Sequence, residues 1–287
     1  MKTRIISAIV MIAVVFAVLF TGYKYNPIVI TVFAGLLNLA ATYEILNNIV
    51  KTGTVFRKTV AILYSFLSFF LVSDIFHGAY DTLVLNQIAE KRTLIAVSCL
   101  LCLTITYTVI FTASLISDKR DFDLKEIFAL LGVPLLYGSA FSSLECIITK
   151  PEGIYYLLLV INFSSICDTG AYFTGVLFGK HKLCEHVSPK KKVEGAIGGV
   201  AMSLIATVVL FLIFKPQTNI FVMLAVTVIM CIVGVLGDLF ASVIKRAQGV
   251  KDYSNLIPGH GGILDRFDSM LFISPAVLSL MLLGVIK

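Results

Sequence analysis

Nine predominantly apolar runs, separated by short polar stretches, organise this chain: Ile5 to Thr21, Ile28 to Ile45, Val60 to Ile75, Leu94 to Ile116, Ile127 to Ile147, Ile154 to Phe178, Ala196 to Phe214, Ile220 to Asp238 and Met270 to Ile286. A helix needs about 20 such residues, at 1.5 Å of rise each, to cross roughly 30 Å of hydrocarbon. The pattern therefore predicts an all-α integral membrane protein with about nine transmembrane helices. The first run follows a basic head, Met1 to Arg4, as the core of a signal peptide does. No small-x-small cleavage site follows it, so it is expected to be a retained span.

Composition agrees with the pattern. Of 287 residues 58% are hydrophobic and 14% charged, and the mean hydropathy is +0.97. A soluble domain carries roughly 25% charged and 45–50% apolar residues. Disordered, collagen-like and nucleic-acid-binding chains need more polar or more basic material than this. The net charge of +6 bears instead on orientation. With the N-terminus in the cytoplasm, 17 of the 23 lysines and arginines fall in inner loops, as the positive-inside rule requires. Six cysteines are present, and the Cys99 to Cys102 pair lies in an apolar run with no second pair and no histidine nearby. Buried structural thiols are the expectation, since free cysteine behaves as a small hydrophobe.

Residues 1–126, about four spans with plain connectors, are expected to be scaffold. Residues 127–287, about five spans, are expected to be the catalytic region, with cytoplasmic loops 179–195 and 239–269 carrying the chemistry. Among the acids in or near spans, Asp74 and Glu145 lie near outer ends, where snorkelling to water explains them. Glu44, near an inner end, is balanced between a capping contact to a lysine and a role in the site. Asp168 sits about ten residues, or roughly 15 Å at helical rise, from the inner end of its span. An ionisable residue so deep is expensive and usually functional.

Asp168, Tyr172, Gly175 and Gly179 share one helix face, where small residues let another helix or a substrate approach. The following loop carries Lys180, then Ser188-Pro189-Lys-Lys-Lys, then Glu194-Gly195. Gly175 and Lys180 are one residue too close for a phosphate-binding P-loop, and His181 stands where Ser or Thr is needed. Asp238, Ser242 and Lys245 are spaced by four and three, placing an acid, a hydroxyl and a cation on one face. Beyond them, Pro258-Gly-His260-Gly261-Gly262 has the glycines to curl its backbone N–H groups into an anion-binding nest. Asp265 and Asp268 are neighbours on a helix turn. Carboxylates with few soft ligands suit Mg²⁺, which is held by one or two carboxylates plus substrate phosphates. His260 has no partner at zinc-ligand spacing.

The run from Ser242 to Asp268, Ser-Val-Ile-Lys-Arg-Ala-Gln-Gly-Val-Lys-Asp-Tyr-Ser-Asn-Leu-Ile-Pro-Gly-His-Gly-Gly-Ile-Leu-Asp-Arg-Phe-Asp, resembles the signature of the phosphatidate cytidylyltransferase, or CDP-diacylglycerol synthase, family. Asp168-Thr-Gly-Ala-Tyr172 with Gly175, Gly179 and Lys180, and Ser188-Pro189 through Glu194-Gly195, are similar to the same family. Ala241 and Lys192 depart from its pattern, so neither receives a role. The resemblance implies a multi-span homodimer that moves a cytidylyl group from CTP to phosphatidate, and the short loops point to the cell (inner) membrane. It implies Mg²⁺ on Asp238, Asp265 and Asp268, with Asp168 holding a second cation or orienting Lys180. It implies phosphate contacts from Lys245, Arg246 and Lys251. Ser242, Asp252, His260, Gly261, Gly262, Arg266, Ser188, Lys180 and Glu194 are its further substrate-binding positions. A CTP-dependent polyprenol or dolichol kinase and a membrane transporter remain the alternatives. A CDP-alcohol phosphotransferase is set aside because its opening Asp-Gly pair is missing from this sequence.

Overall fold

The computed structural model describes residues 2–49, 55–85, 90–116, 124–184, 187–259 and 261–286. Its helices are α1 (Lys2–Lys24), α2 (Ile28–Ile49), α3 (Val55–Leu83), α4 (Glu90–Ile116), α5 (Leu124–Thr149), α6 (Gly153–Ile161), α7 (Cys167–Phe178), α8 (Val193–Phe214), α9 (Ile220–Ala247), a single turn α10 (Leu264–Phe267) and α11 (Met270–Leu282). A π-helical turn, Asn162–Ile166, joins α6 to α7, and a hairpin of β1 (Lys182–Cys184) and β2 (Ser188–Lys192) joins α7 to α8.

Among the described residues, eight helical stretches are long and apolar enough to span a membrane, with α6 and α7 forming one of them. The fold class is as the sequence predicts, but the last expected span is cut short. α11 has 13 residues, about 20 Å at helical rise, and stops where Gly284 takes a φ of 69°. A left-handed glycine just past the last turn ends a helix whatever the hydropathy of the residues beyond it.

The chain forms two compact units. One comprises residues 1–149 and 252–266, the other residues 150–251 and 267–287. In the first, α3 packs against α2, α4 and α5. Polar side chains inside this unit bond one another: Asn38 donates to the carbonyl and hydroxyl of Ser65, Thr42 bonds the same hydroxyl, and Ser142 donates to the Phe69 carbonyl. Tyr64 and Tyr107 stack with centroids 4.2 Å apart. Glu145 does not snorkel. It is 2% exposed, and its carboxylate accepts from Thr31 and Ser73 at 2.6 Å each and pairs with His77 Nε2 at 3.2 Å. Three internal partners supply what water would have supplied.

In the second unit α7 lies along α8, and the reason is glycine. A Cβ on Gly199 would stand 2.5 Å from the Cys167 carbonyl oxygen, and one on Gly195 would stand 2.7 Å from that of Ala171. Gly170 and Gly175 present the same absence of side chain from α7. The small residues of this span thus serve to bring a helix close, one of the two uses expected of them. Gly199→Val is expected to destabilise the protein by about 1–3 kcal/mol through overpacking, read as a lowered thermal midpoint in detergent. Gly132→Ala, whose methyl would meet nothing within 4 Å, is expected to leave the midpoint unchanged or slightly raised.

Candidate active site

The second unit gathers most of the expected acids. Asp168 is the second residue of α7, in its first turn after the π turn, a feature that recurs at functional sites. α9 continues about two and a half turns past the expected end of its span, so Asp238, Ser242 and Lys245 stand on one unbroken helix. Ser242 Oγ donates to Asp238 Oδ1 at 3.4 Å. Lys245, 8% exposed, stands 4.0 Å from Asp268 Oδ2. The hairpin brings in Lys191, which the sequence reading treated only as part of a lysine run. Its ammonium is closed off from water and forms an ion pair with Asp238.

Asp168 shares a groove with Lys191 and Asp238, and the expected partner Lys180 is not among the residues lining it. A strand turns alternate side chains to opposite faces. That rule would have singled out one lysine of the three, had the hairpin been predicted. Asp168, Tyr172, Gly175, Lys190, Lys191 and Asp238 line a groove of about 590 Å³ whose remaining wall is largely apolar. Burial, with the Asp238 carboxylate next in size, pushes the Asp268 carboxyl up to about 7, and Lys245 offsets part of this. Carboxyls that repel one another in a site with few donors are the chemistry of a divalent-cation site.

The expected loop residues divide by task. Glu194, in the first turn of α8, accepts from the backbone N–H of Lys180 at 3.0 Å and of His181 at 3.2 Å, and from His181 Nδ1 at 2.6 Å. Its carboxylate holds the start of the hairpin connection together. Lys180 is exposed, and Ser188 opens β2 opposite Cys184. Arg246 donates to the Val250 carbonyl at 3.3 Å, while Lys251 is exposed.

Asp252, Gly261, Gly262, Asp265 and Arg266 belong to the first unit, and His260 lies outside the described residues. Asp252 and Arg266 are exposed, and Arg266 caps a backbone turn through its N–H to the Ile263 carbonyl. Gly261, at a φ of 84°, accepts the Ile257 N–H at its carbonyl oxygen. The expected nest exists in part, and it is already filled. Gly262 N–H bonds Asp265 Oδ2 at 2.9 Å, and Ile263 and Leu264 N–H bond the carboxylate of Glu44. Asp265 is 8% exposed, and the same oxygen accepts from Tyr253 N–H at 2.9 Å. A ligating carboxylate is commonly oriented by such bonds to one of its oxygens, and a carboxylate has about four lone-pair sites, so these bonds are compatible with a metal role. Among the described residues, no group of three or more acidic, histidine or cysteine side chains is placed to hold a metal ion.

Residues 2–283 match the model of the Cytidylyltransferase family, and the chain belongs to that family. It is a nucleotidyltransferase with multiple membrane-spanning helices. Among its relatives, the phosphatidate cytidylyltransferase of Staphylococcus haemolyticus is 36% identical over 276 residues, covering 96% of each chain. Those of Staphylococcus aureus and Staphylococcus epidermidis are 34% identical over the same length and coverage.

The contact between Lys191 and Asp238 is testable without reference to turnover. Lys191→Met is expected to lower the thermal midpoint by about 2–4 °C, the shift that ~1 kcal/mol makes in a chain of this size. Adding Asp238→Asn should recover part of the loss, because the acid then no longer lacks its cation.

Proposed function

We propose that this protein transfers the cytidylyl group of CTP to phosphatidate, releasing pyrophosphate and leaving CDP-diacylglycerol in the bilayer. The observation that carries this reading is the groove that sets Asp168 and Asp238 against Lys190 and Lys191 beside an apolar wall, in a chain that matches its family from residue 2 to 283. An anionic headgroup needs the cations, and a lipid body needs the apolar wall.

In the proposed reaction a phosphate oxygen of phosphatidate attacks the α-phosphorus of CTP. The bond from that phosphorus to the oxygen bridging to the β-phosphate breaks in line, and pyrophosphate carries the electron pair away. No general base is required, because a phosphate monoester with a second pKa near 6 is already mostly ionised at neutral pH. The task left to the protein is positioning and neutralising charge. Lys191 and Lys245 meet phosphate oxygens from positions fixed by Asp238 and Asp268, and Arg246 and Lys251 add to the positive field. Asp238 and Asp268 are proposed to hold Mg²⁺, and in its own unit Asp265, its orientation set by two amides, is proposed as a carboxylate available to a metal ion. Bound Mg²⁺ supplies neutralisation of the triphosphate oxygens as charge shifts to the leaving group. Asp168 is proposed to take a second cation. The lysine and arginine distribution supports a cytoplasmic N-terminus and a site on the cytoplasmic side of the cell (inner) membrane, and the protein is proposed to work as a homodimer.

The test uses detergent-purified protein with CTP labelled at the α-phosphate, phosphatidate and Mg²⁺. Label is expected in the lipid with equimolar pyrophosphate, and a chelator is expected to stop it. Release of CDP with unlabelled phospholipid would establish a CTP-dependent lipid kinase instead. Asp238→Asn and Asp265→Asn are expected to lower kcat about a hundredfold or more with the folded protein intact, the scale of losing a group that acts in the transition state. Lys24→Ala, whose ammonium lies over the rings of Phe20 and Tyr25, is expected to change kcat less than about twofold.

A further inference from the structure

Glu44 lies near the end of α2 and is 4% exposed. Its nearest partners in space come from more than two hundred residues further along the chain. Oε1 accepts from the Ser254 hydroxyl at 2.6 Å and from Ile263 N–H at 3.0 Å, and Oε2 accepts from Leu264 N–H at 2.9 Å. One turn later on α2, Asn48 donates to the Tyr253 carbonyl at 2.6 Å. Two adjacent side chains of one helix thus grip both limbs of the loop, at 253–254 and at 263–264.

The loop closes on itself through Asp265, which joins Tyr253 and Gly262 by their amides. A Cβ at Gly262 would stand 2.5 Å from Glu44 Oε2, so glycine there is what lets the carboxylate reach the backbone. Bonds from amide and hydroxyl donors to a buried carboxylate are charge-assisted, and they are the strong kind. An acid that does nothing but cap its own helix would not need donors from both limbs of a distant loop.

We propose that Glu44 is a positioning residue for cytidylyl transfer. It fixes the 253–264 loop, and through that loop the orientation of Asp265. The inference rests on the function proposed above. It gives the N-terminal helices a part in catalysis beyond scaffold.

The experiment follows Glu44→Gln by two independent readouts. Hydrogen exchange at amides 262–264 of the full-length protein reports the loop whether or not any substrate turns over, and it is expected to quicken about tenfold or more. Turnover per folded molecule is expected to fall about tenfold or more, with KM for CTP and for phosphatidate within about threefold, since an interaction that shapes the reacting geometry shows in kcat. Gly262→Ala is expected to reproduce both changes. Glu145→Gln, which removes an equally buried acid far along the same unit's helices, is expected to lose stability with kcat per folded molecule unchanged. If Glu44→Gln does not fold, Ser254→Ala removes one of the three bonds and should show the same two changes in smaller degree. Unchanged exchange at 262–264 overturns the proposal, as does quickened exchange with kcat unaltered. Absence of label transfer by the unaltered protein would overturn the function and leave the exchange result to judge the loop.

Discussion

A chain with so little polar material has to satisfy inside itself every carboxylate it withdraws from water, because an unpaired buried charge costs several kcal/mol or more. This constraint sorts the acids. Glu145 is met by two hydroxyls and a histidine, and Glu44 by two amides and a hydroxyl. Their partners are largely neutral donors, fixed in place, and these acids hold structure. Asp168, Asp238 and Asp268 are different, because they act on one another as well as on Lys191 and Lys245. Repulsion among them is the free energy that a bound cation would relieve.

Position is set by glycine as much as by charge. α7 and α8 approach until backbone meets backbone at Gly170, Gly175, Gly195 and Gly199. The hairpin between them is short, with Val193 N–H bonding the His181 carbonyl at 3.0 Å and the Lys192 ammonium bonding the Gly179 carbonyl at 2.8 Å. Lys191 therefore reaches Asp238 from a strand whose end is tied to the ends of α7 and β1 by these bonds. A bulkier residue in the seam would displace Asp168 and the lysine together.

Most of the helices were legible because hydropathy and length are local properties. What escaped the sequence is what depends on residues far apart or on a single dihedral. Gly284 ends α11 through one left-handed φ that no count of apolar residues registers. The π turn at Asn162–Ile166 interrupts a run whose hydropathy is continuous. Lys191 stood unmarked among three lysines, since only strand pairing tells which of them turns toward Asp238. Glu44 was undecided for the same kind of reason: its bonds run to backbone amides more than two hundred residues away, and an amide leaves no letter in the sequence. By contrast Asp238, Ser242 and Lys245 were placed on one face correctly, because a four-and-three spacing on a helix carries its own geometry.

The glycine-rich turn shows how a correct local reading leads to a different chemical conclusion once its partners are known. Glycines around His260 do leave amides pointing together, and those amides do bind anions. The anions are the protein's own Glu44 and Asp265. An N–H group already committed to a buried carboxylate is not available to a phosphate, since exchanging one anion for the other would strand the carboxylate in a dry site. In the proposed reaction substrate phosphates are then left to side-chain cations, of which Lys191 and Lys245 are held by acids. On that reading the amide-rich turn fixes the loop and the lysines take the charge. That division separates rigidity from recognition in a chain with few polar residues to spend on either.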